Sequence, residues 1–190
     1  MRKELATAAR AVLVLTVVLG LGYPLAITAV SQVALPGKAD GSILKRDGRV
    51  VGSRLIGQDF NNRPEYFQTR PSATAYNPAG TFFNNRGPNQ ASLAVQQHRF
   101  ALDYAAREHV ALTAVPVDAA TTSASGVDPH ISLRNARIQA ARVGRAREIG
   151  RDRVLALVDE HVDGRDLGFA GEPGVNVLAL NLALDEQARR

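Results

Sequence analysis

AVLVLTVVLGLGYPLAITAVSQVAL, residues Ala11 to Leu35, is a run of 25 residues without a charged side chain in a chain of 190. As a helix it measures roughly 37 Å at ~1.5 Å per residue, longer than the ~30 Å hydrocarbon core of a bilayer, so it spans with some tilt. In lipid, a backbone can satisfy its N–H and C=O groups only inside its own helix. The stretch therefore sets the architecture: residues 1–10 are a short basic N-terminus, 11–35 a transmembrane helix, and 36–190 one soluble domain. Pro24, inside the run, is tolerated in membrane helices because neighbouring groups can satisfy the freed carbonyl. The rival reading is a cleaved signal peptide, with Ala26 and Thr28 or Ile27 and Ala29 as small-residue cleavage pairs. Secretory cores are typically ~7–15 residues long, so the length of this run favours a retained anchor.

Arg2, Lys3 and Arg10 precede the span, while Lys38, Lys45, Arg46, Arg49 and Arg54 follow it closely. The basic-residue count therefore leaves the sidedness open. Long following domains translocate largely regardless of charge, and an uncleaved signal anchor would place the domain outside. Small residues at four-residue spacing, Thr16 with Gly20 and Gly22 with Ala26, would let a second membrane helix approach closely.

The composition is 45% hydrophobic and 22% charged, with 16 Gly, 9 Pro and 5% aromatic residues, which is neither collagen-like nor disordered. The absence of Cys excludes disulfide frameworks, thiolate zinc sites and cysteine nucleophiles together. Between Arg134 and Arg153 stand seven Arg against Glu148 and Asp152, so the whole net charge of +5 lies in one segment. No aromatic residue is interleaved there as a stacking platform, and the segment reads as a solvated or docking helix face, not as a nucleic-acid surface.

Beyond the span, Ser42 to Arg46 and Arg49 to Ile56 flank Asp47-Gly48, a pair suited to a type I′ turn, and predict a hairpin. Residues 57–89 carry four Pro, six Asn and six of the ten aromatics, which predicts a long loop ordered against something. Asn89 is expected to cap a helix to about His109, with Leu93, Phe100 and Tyr104 near one face, and Val110 to Val117 is expected to be a strand. Ser132 caps an Arg-rich helix. A second helix follows Arg151, with Val154, Leu157, Val158 and a half-buried His161 on its apolar face and Gly164 as its stop. Leu178, Leu180, Leu182 and Leu184 alternate with Ala179, Asn181, Ala183 and Asp185, the pattern of a final strand. Helices and strands mix without a βαβ rhythm, so the fold class is α+β: one N-terminal transmembrane helix followed by one mixed α/β soluble domain.

The chain has no GxxxxGK[ST] loop, GxSxG elbow or HExxH pair. Ser125, Asp128 and His130 bring a hydroxyl, a carboxylate and an imidazole close in sequence, which would suit a membrane-anchored extracytoplasmic hydrolase. The competing reading is a structural turn, because hydroxyls beside Gly and Asp-Pro satisfy backbone groups.

SASGVDPHIS (Ser123 to Ser132), RVGRAR (Arg142 to Arg147), VDGRDLGFAGEPGVNVLALNLALD (Val162 to Asp185), GSRLIGQDF (Gly52 to Phe60) and YFQTRPSATAYN (Tyr66 to Asn77) closely resemble, in order, the C subunit of the Kdp potassium-transporting ATPase. The resemblance implies an accessory subunit without catalysis of its own in a bacterial potassium pump. It would stabilise a complex with a potassium-conducting subunit and a P-type ATPase subunit, and this chain has no DKTGT sequence. The implied location is the cell membrane, with the N-terminus cytoplasmic and the domain extracytoplasmic. The family is also described as a catalytic chaperone that raises the pump subunit's affinity for ATP. Where the family carries paired glycines likened to nucleotide-binding signatures, this chain has Ala79 to Asn85, so no cofactor is expected to bind firmly and ATP is expected to act through the complex. Gln58, Tyr66, Phe67, Arg70, Asn77, Asp128 and His130 fall in the matching motifs as candidate interface or structural residues; no metal site is expected.

Overall fold

Pro24 cannot donate the amide hydrogen that an α-helix interior requires, and its ring collides with the carbonyl four residues back. In the computed structural model, which describes residues 1–80, 85–165 and 167–188, the helix answers by widening ahead of the proline. Helix α1 (Arg2–Leu15) passes through a π-helical stretch, Thr16–Gly22, into α2 (Tyr23–Ala34). The Tyr23 N–H there reaches the Val18 carbonyl, five residues back. Together these form one continuous helix, Arg2–Ala34, of 33 residues, long and apolar enough to cross a membrane. Leu13, Val18, Leu21 and Leu25 are all more than half exposed along it.

A single turn, α3 (Pro36–Ala39), leads into strands β1 (Ile43–Arg46) and β2 (Arg49–Ser53), paired antiparallel. Asp47 and Gly48 have φ of 50° and 75°, the two positive values a type I′ turn requires. The Ser53 hydroxyl donates to the Gly41 carbonyl at 2.6 Å. The second strand stops at Ser53, short of the expected Ile56. The chain divides into two compact units, Met1–Ser53 and Arg54–Arg190, so the hairpin groups with the helix.

In the second unit, residues 54–80 and 85–90 form neither helix nor strand ahead of α4 (Ala91–Glu108), which begins after Gln90 with no side-chain cap, in place of the expected Asn89. Its C-cap, His109, takes a left-handed φ of 55°. The strand expected over Val110 to Val117 is absent. That stretch forms a 3-10 turn, Leu112–Ala114, and α5 (Val117–Ala120), with Pro116 at the N-cap. Proline removes a ladder donor but suits the start of a helix.

Strand β3 (His130–Ser132) runs directly into α6 (Leu133–Ala146), capped by the Ser132 hydroxyl, which accepts from Asn135 N–H. Asp118 fixes that cap by accepting from the Ser132 N–H at 2.8 Å and its hydroxyl at 2.9 Å. Helix α7 (Arg151–Glu160) ends four residues before Gly164, and the His161 Nδ1–H donates to the Leu157 carbonyl, the ring half-buried as expected. Strands β4 (Val162–Asp163) and β5 (Gly174–Asn176) complete an antiparallel sheet of order β3-β5-β4.

The final element, α8 (Val177–Gln187), is a helix and not the strand its Leu alternation suggested. Val177, Leu180, Asn181 and Leu184 are the buried set together with Leu178, and the i, i+3, i+4, i+7 spacing fits 3.6 residues per turn as well as the leucines fit two. Leu and Ala favour helix, and the Asn176 side chain accepts from Ala179 N–H to start it. The core joins α6, α7, α8 and β5 through Ala136, Ala140, Val143, Val154, Val158, Val175, Val177 and Leu180, each 0% exposed.

Candidate functional site

Residues 63–70 form no helix or ladder, yet Phe67 and Gln68 among them are buried, so the N–H and C=O groups of those two residues must find partners elsewhere. Two amides supply the missing ladder. Asn181, on α8, accepts from the Phe67 N–H at 2.9 Å and donates to the Phe67 carbonyl at 3.0 Å. Gln139, on α6, does the same for Gln68, at 2.7 and 3.0 Å. Phe67 itself is 0% exposed in the core, so it is not part of a docking surface. Tyr66 lies between the Arg63 and Arg147 guanidinium groups, each 4.9 Å from its ring centroid, and its hydroxyl donates to Asp185.

The Arg-rich helix is divided between two tasks. Arg142 is buried, with Nε 3.1 and 3.0 Å from the two Glu108 carboxylate oxygens, and its Nη1 donates to the Pro64 and Tyr66 carbonyls. Arg147 donates to the Glu65 carbonyl and pairs with Asp185 at 2.7 Å. These two cations clamp the 63–70 segment, so the expectation of a solvated or docking face does not extend to them; Arg134, Arg137 and Arg145 remain exposed. A run of Arg conceals this split because helical spacing alone does not say which arginine meets a buried carboxylate.

Beside this segment, Arg70 Nη1 donates to Asp128 at 3.0 Å, and Asp128 also accepts from the His130 N–H. His130 Nε2 lies 3.0 Å from Asp163 on β4, while its Nδ1 is 3.8 Å from Asp128. Arg54 approaches Asp163 from the other side at 3.4 Å. Gly57 makes this junction possible: a Cβ there would sit 2.5 Å from the Asp128 carbonyl oxygen. Gln58 contributes its carbonyl to the Thr69 hydroxyl, and the Asn77 side chain accepts from Ala79 N–H. Most of these motif residues thus join one loop to another by hydrogen bonds.

The hydrolase arrangement is not assembled. Ser125 Oγ accepts from the Val127 N–H in a local turn, and both His130 ring nitrogens face carboxylates. No described hydrogen bond links Ser125 to His130, and among the described residues no cluster of His, Asp and Glu could hold a metal. Of the Ala79 to Asn85 stretch compared with nucleotide-binding signatures, residues 81–84 lie outside the described residues.

Asp128, and after it Asp163, holds the His130 imidazole above its ordinary value, against the opposing effect of burial. Its contribution to stability is therefore fully present below the unfolded value of about 6.5 and is lost as the pH rises through the raised folded value. Because the ring is 40% exposed, solvent screening limits this contribution to under about 1 kcal/mol. Asp128 moves the other way: although burial pushes it up, its hydrogen bonds to His130 and the nearby Arg70 hold it below the usual carboxylate range. That contribution is present above about 3.9 and fades as the pH falls through the lowered value. His130→Gln should accordingly flatten the fall of the thermal midpoint above about pH 6.5, and should also weaken the acid limb, because Asp128 loses the ring that helps hold its carboxyl down. A slope unchanged from the parent protein would remove His130 from this role.

The family described as KdpC, K+-transporting ATPase, c chain, matches residues 5–186. A relative from Cereibacter sphaeroides, named potassium-transporting ATPase KdpC subunit, is 45% identical over 185 residues, covering 97% of this chain and 98% of the relative. A relative of the same name from Kineococcus radiotolerans is 51% identical over 180 residues, covering 93% and 90%, and one from Mycobacterium tuberculosis is 46% identical over 188 residues, covering 97% and 99%. With the uncharged run of the apolar helix, the clamped 63–70 segment and all but the last residue of the α6–α8 core inside the matched span, the chain belongs to the KdpC family.

Proposed function

We propose that this chain is a non-catalytic accessory subunit of an ATP-driven potassium uptake pump, stabilising the complex by docking on its potassium-conducting and P-type ATPase subunits. The observation that carries the reading is the family match along nearly the whole chain, joined, among the described residues, to one exposed apolar helix long enough to span. A potassium filter needs rings of inward carbonyls presented by a pore, and one helix encloses none. The chain therefore influences transport by contacts that differ between the states of another subunit. An effect on ATP affinity would travel by the same contacts, with nucleotide held by the partner. The helix is a retained anchor with its N-terminus in the cytoplasm, and the domain lies outside.

Co-purification from membranes tests this. The tagged full chain should bring down both pump subunits, and its deletion should abolish potassium-stimulated ATP hydrolysis of the complex. Because the chain has no native Cys, Thr7→Cys and Thr113→Cys report sidedness with an impermeant maleimide: only the second should label in intact cells. A chain that purifies alone and hydrolyses esters, with the activity lost in Ser125→Ala, would overturn the reading.

A further inference from the structure

Helix α6 carries a second stripe on the side away from its buried face. Arg134, Ile138, Ala141 and Arg145 follow one another at intervals of four, three and four residues, so they line one side of the helix. Ile138 and Ala141 form part of the floor of an open groove of about 600 Å³, together with Leu133, Val110 and Ala114. Arg134, Arg137, Arg145 and Arg151 line the same groove. Of these, only Arg137 meets a described carboxylate, Asp159 at 3.2 Å, and Arg134 donates to the Ala114 carbonyl. Among the described residues, Glu108 is the one acid lining the groove, and it is already held by Arg142 and Arg107.

An apolar strip edged by cations, with its acid neutralised, is complementary to one kind of occupant. We infer that this groove docks an acidic amphipathic segment of a partner subunit, its apolar side chains on the Ile138 floor and its carboxylates on Arg134, Arg145 and Arg151. The inference rests on the accessory-subunit reading and assigns that docking a surface. Arg134 and Arg145 are eleven residues apart, about 16 Å along the helix, which suits a segment of about three turns with acids near both ends. Helix-in-groove recognition uses such an apolar strip for affinity, and the flanking charges set register and partner choice. An anionic membrane surface would also meet the arginines, but it offers no apolar ridge at this spacing to fill the floor.

The test uses the full chain assembled with the pump in its own membrane, with photoreactive benzoylphenylalanine replacing Ile138. Irradiation should cross-link the chain to a pump-subunit segment in which Asp or Glu flank apolar residues. Recovery of the pump subunits should fall at least tenfold in the Arg134→Glu, Arg145→Glu, Arg151→Glu chain and stay within twofold when the three become Lys, with the thermal midpoint unchanged. Should the triple variant unfold, Arg145→Glu alone, which breaks no described hydrogen bond, should still lower recovery about threefold at low salt. Cross-links to phospholipid, or to a segment without acids, or undiminished recovery of the Glu variants, would overturn the groove while leaving the subunit reading in place. Failure of the parent chain to recover any pump subunit would remove that reading and the groove with it.

Discussion

Arg142→Ala should cost the second unit about 3–5 kcal/mol, because it strands the Glu108 carboxylate inside the protein. The Glu108 side chain is 0% exposed and the Arg142 side chain 8%, so water cannot replace the lost partner. Arg107 remains beside Glu108 at 2.8 Å, but it is itself partly solvated. The substitution also removes donors from the Pro64 and Tyr66 carbonyls and from the Gln139 side chain. With domain stabilities of about 5–15 kcal/mol in total, this leaves a marginal fold. The comparison that isolates the cause is the double change Arg142→Met with Glu108→Leu, which removes both charges together and keeps volume in place. It should recover most of the loss, leaving about 1–2 kcal/mol for the orphaned carbonyl of Pro64. Urea unfolding of the full chain in detergent measures both; equal losses for the single and the double variant would show that the buried charge is not the source.

Phe67→Ala should cost a further large amount, about 3–5 kcal/mol, through the cavity it leaves in the core. Phe67 is one of the largest fully buried side chains, and it belongs to a segment with no regular secondary structure of its own. Its ring holds the segment down while Asn181 holds its backbone, so truncation weakens both. Residues 57–80 should then become more accessible to protease before the α6–α8 core does, because local opening begins where few backbone bonds are shared. Phe67→Leu, which refills part of the volume, should cost less than half as much. A Phe67→Ala chain with an unchanged midpoint would place the ring outside the energetic core.

The clamped segment also shows where reading in sequence order fails. The aromatics of residues 57–80 made packing of that part of the stretch legible, but the partners of residues 66–68, Gln139, Arg142 and Asn181, lie 71 to 114 residues away. Nothing local marks an amide on a helix as the stand-in for a β-ladder. The motifs that carry the family likeness were legible as motifs, yet Phe67 could pass for an exposed aromatic in a loop. Its burial is a consequence of α6 and α8 meeting beside it.

What the sequence by itself determined are the features whose causes are local. Twenty-five uncharged residues require a helix in lipid, Asp47-Gly48 tolerates the paired positive φ of a tight turn, and Ser132 can reach back to the N–H of Asn135. The tertiary structure decided what local rules leave degenerate. The leucines of α8 satisfy a period of two and the buried set a period of 3.6, and the choice fell to helix because Asn176 caps it and the core accepts Val177, Leu180 and Leu184 on one side. Likewise seven arginines at helical spacing are equivalent until a buried carboxylate and a run of orphan carbonyls select Arg142 and Arg147 for the interior. That selection needs the long-range approach of Glu108 and residues 63–70, because only in a desolvated interior is an unpaired carboxylate or carbonyl costly enough to dictate which arginine turns inward.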